Sequence, residues 1–225
     1  MAYTLHGAPL SPFVRKVMYL LACSNTEYKL KVVAPVGMPD DFIKISPLKK
    51  IPVLQEDDWY QADSSVVCNY LIETLAHPAL EQLMPSTAKA RAQVRWLEKF
   101  ADYELAPYLT FTVFRQRTLR PIYGKATDEA PVQEALNNQI PALFDYLTTQ
   151  LGKQTYFVND TFSLADVAIT TQMVSFMHGH AAIDPQRWPT LATYFDHMMQ
   201  LPTWQALIQR EQATLAKIFA TKTNL

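Results

Sequence analysis

Residues 3–17 read YTLHGAPLSPFVRKV, and this stretch decides how the first third of the chain folds. Tyr3–His6 has the pattern of a short strand, and apolar residues at helical spacing predict a helix from Pro12 to about Cys23. Ser11 stands where the strand gives way to the helix, as a candidate N-cap with proline at the first helical position. Its hydroxyl group therefore lies at the positive end of a helix, where it either caps the helix or is available to a ligand.

The segments that follow predict three more strands and one more helix. Glu27–Val33 reads as a strand, Ile51–Gln55 and Trp59–Gln61 as a hairpin, and Ser64–Leu75 as a helix. The first third of the chain therefore has the order β-α-β, followed by β-β-α.

After about residue 86 the sequence reads as helix followed by helix. Prolines at 78 and 85 interrupt the chain because the residue before a proline is pushed out of the helical region. We therefore expect a first domain at 1–78, a linker at 79–86 and an all-helical domain at 87–225. Prolines at 107 and 141 fall inside two of the predicted helices and predict kinks. The five helices are Thr87–Thr118, Asp128–Leu151, Ser163–Ala181, Trp188–Gln200 and Thr203–Phe219.

Composition excludes several classes of protein. With 225 residues, 49% hydrophobic and 18% charged, the chain has the composition of a globular protein. Twenty basic and 21 acidic residues give a net charge of -1, without the basic run that nucleic-acid binding needs. No signal-peptide pattern or apolar run of ~20 residues occurs, so we expect a cytoplasmic protein outside the membrane. Cys23 and Cys68 lie in apolar helical patterns, which predict buried thiols.

Two further segments have the residues of a binding site. Residues 46–54 read SPLKKIPVL, with Pro52 directly before a strand. A cis peptide there would expose the backbone of the preceding residue to an extended ligand, although the sequence does not distinguish cis from trans. Asp63 and Ser64 begin a helix, so a carboxylate, a hydroxyl and free backbone donors converge, either as a cap or as a ligand site.

In order and spacing these segments resemble the N-terminal domain of soluble glutathione transferases, and most of all the serine-type tau and phi classes. The matching segments are Leu5–Gly7, Ser11–Val17, Lys49–Leu54 and Asp63–Ser64, followed by WLEKFAD at 96–102 with Pro107 and by FSLAD at 162–166. The resemblance implies a thioredoxin-like α+β domain, β-α-β-α-β-β-α, followed by an all-α domain, usually in a homodimer. Two positions depart from the family pattern: Asp63 stands where glutamate is usual, and Lys49 where glycine is frequent.

The resemblance also implies the chemistry. Ser11 would activate the thiolate of glutathione, the backbone of Ile51 would pair with its cysteinyl unit, Lys50 would meet its glycyl carboxylate, and Asp63 with Ser64 would receive its γ-glutamyl end. The glutathione-binding set is Ser11, Phe13, Lys50, Ile51, Asp63 and Ser64, and the candidates for contact with the electrophile are Tyr108, Phe111 and Arg115. Glutathione is the co-substrate, and no metal is needed.

We expect conjugation of glutathione to small hydrophobic electrophiles. Glutathione-dependent peroxidase or isomerase activity and a non-catalytic binding or regulatory role remain as alternatives. Thiol transfer is disfavoured because a serine hydroxyl at position 11 cannot form a mixed disulfide.

Two other patterns are assigned to structure rather than to the site. Ser163 and Asp166 have the spacing of a capping box, which starts a helix. His178 and His180 are two residues apart on a predicted helix, so they point to different sides and cannot share a metal. We expect both histidines at the surface.

Overall fold

The computed structural model describes residues 3–34 and 37–223, with side chains to residue 220, and divides the chain into two units, Met1–Pro85 and Ser86–Leu225. Residues 1–2 and 35–36 of the predicted first domain and residues 224–225 of the second lie outside the described part.

The first unit is a four-stranded mixed sheet with helices. Its elements follow the order β1 (Tyr3–His6), α1 (Pro12–Cys23), β2 (Tyr28–Lys31), α2 (Asp40–Ile45), β3 (Val53–Glu56), β4 (Trp59–Ala62), α3 (Ser64–Leu75) and α4 (Pro78–Glu81). The predicted order β-α-β-α-β-β-α is confirmed, including α2, which only the family resemblance implied. β2 is shorter than the predicted Glu27–Val33, and β3 begins at Val53, after the proline that has no N–H to give to a ladder.

The strands lie in the order β2-β1-β3-β4. β1 is parallel to β2 and antiparallel to β3, and β3 is antiparallel to β4. Leu5 and Leu54 are cross-strand partners and are completely buried. On the alternate positions, Val53 packs in a separate cluster with Val33 and with Phe42 of α2. The period-two alternation of the strands therefore supplies apolar side chains to both faces of the sheet.

The stretch predicted as a linker begins with a helix. α4 occupies Pro78–Glu81, with proline at its first position and the Nδ1 atom of His77 accepting the N–H of Ala79 at 3.2 Å. Leu80 and Leu83 are buried, so the residues up to Pro85 pack with the first unit. Pro78 thus separates α4 from α3, which ends at Leu75, and it also starts α4.

The second unit is helical throughout its regular structure. Two continuous helical stretches of the described residues, 88–122 and 129–151, contain three π-helical segments, named π1 to π3. The elements are α5 (Ala88–Phe100), π1 (Ala101–Leu105), α6 (Ala106–Tyr108), π2 (Leu109–Leu119), α7 (Arg120–Ile122), α8 (Glu129–Glu134), π3 (Ala135–Gln139), α9 (Ile140–Leu151), α10 (Leu164–His178), α11 (Pro189–Gln200) and α12 (Pro202–Thr223). Across residues 3–34 and 37–223, none of the helices combines the length and the apolarity that crossing a bilayer requires.

Each π segment ends two residues before a proline, at Pro107, Pro121 and Pro141. In all three cases the residue preceding the proline donates its N–H to the carbonyl five positions back, as Ala106 does to Ala101. A proline in a regular α-helix clashes with the carbonyl four positions back and leaves that carbonyl without a donor. The wider i→i+5 turn accommodates the ring, so the expected kinks take the form of π segments.

α10 is the buried centre of the second unit. The carboxylate of Asp166, in its first turn, accepts four hydrogen bonds: from the N–H and hydroxyl of Ser163, the N–H of Phe157 and the hydroxyl of Tyr194, at 2.8 to 3.3 Å. Asp166 is completely buried, and burial raises its pKa to about 6. The predicted capping box is therefore present and is joined to two further segments of the chain.

At the other end of α10, His178 is buried, so its predicted surface position is wrong. Its Nε2 atom lies 2.8 Å from Oε2 of Glu211 on α12, and both side chains are at least 95% buried, with 5% and 2% exposure. The partner is 33 residues away along the chain, so no local pattern around His178 could indicate it. His180 is exposed, as expected.

Candidate active site

Three segments of the first unit meet at one edge of its sheet. β1 and β4 are both antiparallel to β3 and therefore run in the same direction. The register pairs Val53, the first residue of β3, with His6 and Ala62, the last residues of β1 and β4. The loop before α1, the segment before β3 and the start of α3 consequently emerge at the same edge, where open sheets usually bind ligands.

Ser11 precedes α1 at this edge with its hydroxyl unused by the helix. Its carbonyl accepts the N–H of Arg15 at 2.8 Å, but its side chain forms no capping hydrogen bond. The residue is half-buried in an extended conformation, with φ -75° and ψ 128°. Ser11 is therefore the N-cap residue by position, as predicted, but its side chain does not cap the helix, and the hydroxyl lies at the positive end of a 12-residue helix.

The start of α3 combines a carboxylate, a hydroxyl and a buried cation. Oδ1 of Asp63 accepts the N–H groups of Ser65 and Val66 at 2.9 and 3.2 Å. The hydroxyl of buried Ser64 has no hydrogen-bond partner within the described residues. Lys16 of α1, completely buried, donates from Nζ to Oγ of Ser65 at 3.3 Å. The amino terminus of this 12-residue helix by itself favours an anion.

The segment before β3 has an unusual backbone. The Ile51–Pro52 peptide bond is cis, which answers the question that the sequence left open. Lys49 has φ +54°, in the left-handed region, so the backbone retains the conformation expected of glycine although a lysine occupies the position. Lys50 is exposed and Ile51 is half-buried.

A hydroxyl group holds this segment together. Oγ of Ser46 donates to the carbonyl of Lys50 at 2.6 Å and accepts the N–H of the same residue at 3.1 Å. Ser46 is 1% exposed. The sequence pattern did not predict a role for Ser46 or for Lys16. The available signal for Lys16 was its helical position among apolar residues.

His6 also lies at this edge, and its imidazole ring is uncharged at neutral pH. It is 3% exposed, and its Nε2 atom lies 2.8 Å from Oε1 of Gln55. Burial lowers the pKa of His6 below its ordinary value, with a smaller opposing effect of the bond to Gln55. The ring is therefore neutral at neutral pH.

The remaining predicted site residues occupy two places. Phe13 is half-buried in the first turn of α1, next to Ser11, so the six predicted glutathione contacts belong to the segments that meet at one edge. Tyr108, Phe111 and Arg115 belong to the second unit. Tyr108 ends α6 and is half-buried, whereas Phe111, 53% exposed, and Arg115, also exposed, lie in π2.

Comparisons with known proteins agree with this architecture. The family model described as "Glutathione S-transferase, N-terminal domain" matches residues 5–79, and the one described as "Glutathione S-transferase, C-terminal domain" matches residues 104–202. Glutathione S-transferase F13 of Arabidopsis thaliana is 26% identical over 211 residues, which are 91% of this chain and 94% of the relative.

Solved structures share the fold. The apo form of human glutathione-S-transferase T1-1 superimposes with a TM-score of 0.82 at 20% identity, covering 96% of this chain and 90% of that one. Glutathione S-transferase-I bound with lactoylglutathione gives a TM-score of 0.79 at 19% identity, covering 92% and 98%.

Proposed function

The chain belongs to the glutathione S-transferase family, and from this premise we propose that it activates glutathione through Ser11 and transfers it to small hydrophobic electrophiles. The observation that carries the proposal is the hydroxyl of Ser11, which stands at the amino end of α1 and caps nothing. An unused hydroxyl donor at a positive helix end suits a ligand anion.

The energies that this role requires are available. A thiol of ordinary pKa, ~8.5, needs a shift of ~2 units, or about 2.7 kcal/mol, to be mostly thiolate at neutral pH. A hydrogen bond to a charged group contributes about 1.5 to 3 kcal/mol, and a helix amino terminus adds roughly 0.3 to 1 kcal/mol. Ser11 and α1 together therefore suffice, without a general base.

The same edge offers contacts for the rest of the tripeptide. Oδ1 of Asp63 is occupied by the helix cap, which leaves Oδ2 to accept from the ammonium group of the γ-glutamyl unit. Ser64, at the first position of α3 with Lys16 nearby, would bind the α-carboxylate of that unit. In this scheme the backbone of Ile51 pairs with the cysteinyl unit, the exposed ammonium of Lys50 meets the glycyl carboxylate, and Phe13 borders the thiol.

We assign the electrophile to Tyr108, Phe111 and Arg115 of the second unit. A half-exposed phenylalanine is an apolar surface that a hydrophobic acceptor would cover, and Arg115 is four residues further along π2. Phe111→Ala should raise KM for the acceptor and leave KM for glutathione unchanged.

The experiment that tests the function measures both thiolate formation and turnover. Ultraviolet absorbance should show a glutathione thiolate on the protein at neutral pH, and an aryl chloride should be conjugated at a rate proportional to enzyme. A hydroperoxide and an isomerisable double bond serve as alternative acceptors. Absence of both thiolate and turnover would contradict the proposal, whereas binding without any turnover would favour a non-catalytic role.

Neither cysteine is expected to take part in catalysis. Cys68 is completely buried in α3, as predicted, whereas Cys23 is only partly buried, because it is the last residue of α1, where the core ends. Cys23 lies roughly 18 Å along α1 from Ser11, at 1.5 Å per residue.

We expect Cys23→Ser and Cys68→Ser to retain kcat/KM for conjugation within about twofold. Cys68→Ser should lower the free energy of unfolding by about 1 to 2 kcal/mol because it buries a hydroxyl, and Cys23→Ser should lower it by less. Chemical denaturation and initial rates measure the two quantities. A large loss of activity in a variant of unchanged stability would identify a catalytic thiol.

A homodimer is part of the proposal. Exposed aromatic and apolar side chains form two groups. One group, on β4 and α3, consists of Trp59, Tyr60 and Val66, and the other, on α5 and π1, consists of Trp96 and Tyr103. The exposure of these side chains is between 40% and 64%, which supports a covered surface in an assembly. An isologous pairing would bury the same patches on both subunits.

Light scattering should therefore return about twice the chain mass of 25.6 kDa. Tyr103→Glu should shift the mass toward the monomer because it would bury a charge in the contact. Tyr123→Glu is the matched control, since Tyr123 is 53% exposed outside these patches. Equal masses for the two variants would contradict this placement of the interface.

The proposed setting is the cytoplasm, where the glutathione pool keeps thiols reduced. Conjugation of apolar electrophiles there would serve detoxification.

A further inference from the structure

The segment that precedes β3 is held in a conformation that its own sequence disfavours. Lys49 has φ +54°, a region that a residue with a side chain occupies roughly tenfold less readily than glycine. The neighbouring residues, Lys50 and Ile51, are those proposed to face glutathione. A relaxation of Lys49 to negative φ would rotate the following peptide groups and displace both residues.

The contacts of Ser46 oppose this relaxation. Its Oγ atom makes both a donated and an accepted hydrogen bond with the backbone of Lys50, and its carbonyl accepts the N–H of Lys49 at 2.8 Å. One buried side chain thus fixes both polar groups of the residue that follows the left-handed one.

Ser46 is itself attached to the core. Its N–H donates to the carbonyl of Phe42 at 2.9 Å, and Phe42, 5% exposed, packs with Val33 and Val53. Ile51 packs against the same cluster. The path from the core through Phe42 and Ser46 to Lys50 is therefore continuous, and it ends at the edge where Ser11 and Ser64 lie.

We propose that Ser46 is a positioning residue, which offsets the cost of lysine at position 49 and presents Lys50 and Ile51 to glutathione. This inference rests on the proposed function. It assigns to Ser46 an effect on glutathione affinity and none on thiol activation, because Ser46 acts on the segment before β3 and Ser11 precedes α1.

Three variants of the full chain test the proposal, with glutathione as the probe. Ser46→Ala should weaken glutathione binding about tenfold, raise KM for glutathione to match, and leave KM for the acceptor and the pKa of bound thiol unchanged. Lys49→Gly should bind as wild type or more tightly. The double variant Ser46→Ala/Lys49→Gly should bind glutathione only about two- to threefold more weakly than Lys49→Gly. The effect is smaller because glycine enters the left-handed region without steric cost.

Ser24→Ala is the matched control. Its hydroxyl also makes backbone hydrogen bonds, to the carbonyls of Leu20 and Leu21 at 3.0 and 3.2 Å, but it follows the carboxyl end of α1. Glutathione affinity should be unchanged in this variant, whereas thermal stability should fall in both serine variants.

The outcomes separate the two proposals. Wild-type protein that fails to bind glutathione contradicts the proposed function itself. Wild-type protein that binds, together with Ser46→Ala protein that binds equally well, overturns the positioning role. If Ser46→Ala weakens glutathione binding as much in Lys49→Gly protein as in wild type, Ser46 does not compensate for lysine at position 49. A Ser46→Ala variant that does not fold leaves the comparison to Ser46→Thr, which keeps the hydroxyl and should bind within about threefold of wild type.

Discussion

Ser11→Ala is expected to lower kcat for conjugation by about 30-fold and to change the dissociation constant of glutathione by less than about threefold. The hydroxyl is proposed to donate to the thiolate, and such a bond contributes about 1.5 to 3 kcal/mol, which corresponds to roughly 10- to 150-fold. The tripeptide keeps its other contacts, so its affinity depends little on this one. Titration of the thiolate absorbance should place the pKa of bound glutathione about 1 to 2 units higher in the variant.

Ser11→Thr is the matched comparison because it keeps the hydroxyl at the same position. We expect its thiolate pKa to lie close to that of wild type, with any loss of kcat resulting from the added methyl group. An alanine variant whose bound thiol titrates as in wild type would remove Ser11 from the mechanism and assign activation to another donor at this edge.

Asp166→Ala should lower the free energy of unfolding by about 4 kcal/mol at pH 7, without a comparable change in the activity of the protein that remains folded. Its carboxylate is completely buried and accepts hydrogen bonds from Phe157, Ser163 and Tyr194. Each buried donor left without a partner costs about 1 to 3 kcal/mol, and not all can find water in the core. Denaturant titration measures the loss.

Asp128→Ala provides the matched control. Asp128 also caps a helix, accepting the N–H of Ala130 at 3.2 Å, but it is exposed. We expect a cost of about 1 kcal/mol, typical of an exposed cap. Equal costs for the two substitutions would show that the burial of Asp166 contributes nothing.

The effect of Asp166 should also depend on pH. Its pKa is raised to about 6 from the ordinary value of 3.8, so the native state holds the proton more tightly than the unfolded chain. The stability that this group contributes is therefore largest below about pH 4 and falls as the pH rises to about 6. The difference between wild type and Asp166→Ala should be larger at pH 5 than at pH 7.

The sequence predicts the elements of the first unit because its patterns are local. A proline after Ser11 marks the start of α1, and Asp63 before Ser64 marks the start of α3. The amino termini of both helices could therefore be predicted from the sequence. The capping role of Ser11 was not settled by the pattern, since a serine at this position is compatible with a bonded or an unbonded hydroxyl.

The sequence did not predict features that depend on partners far along the chain. It also did not predict which of two backbone conformations the chain adopts at a proline. His178 is buried because Glu211 of α12 meets it, and that packing cannot be read from the residues around His178. Pro107 and Pro141 were recognised as interruptions, but a kink and a π segment relieve the same clash. Lys16 received no role because its contact with Ser65, 49 residues away, arises only when α1 and α3 pack together. The contacts of Ser46 with Lys50 are local, but a serine four residues before a lysine does not by itself indicate which backbone groups its hydroxyl will bond.

The edge formed by β1, β3 and β4 also links ligand binding to folding. His6 and Val53 are register partners although 47 residues (53 − 6) separate them, so the edge exists only after long-range strand pairing. An unfolded or partly paired chain has no such site, and glutathione should therefore bind the native state alone. By mass action, each tenfold increase in the concentration of glutathione above its dissociation constant then adds about 1.4 kcal/mol to the free energy of unfolding. Abundant glutathione in a cell would therefore stabilise the native state of this protein in addition to serving as its proposed substrate.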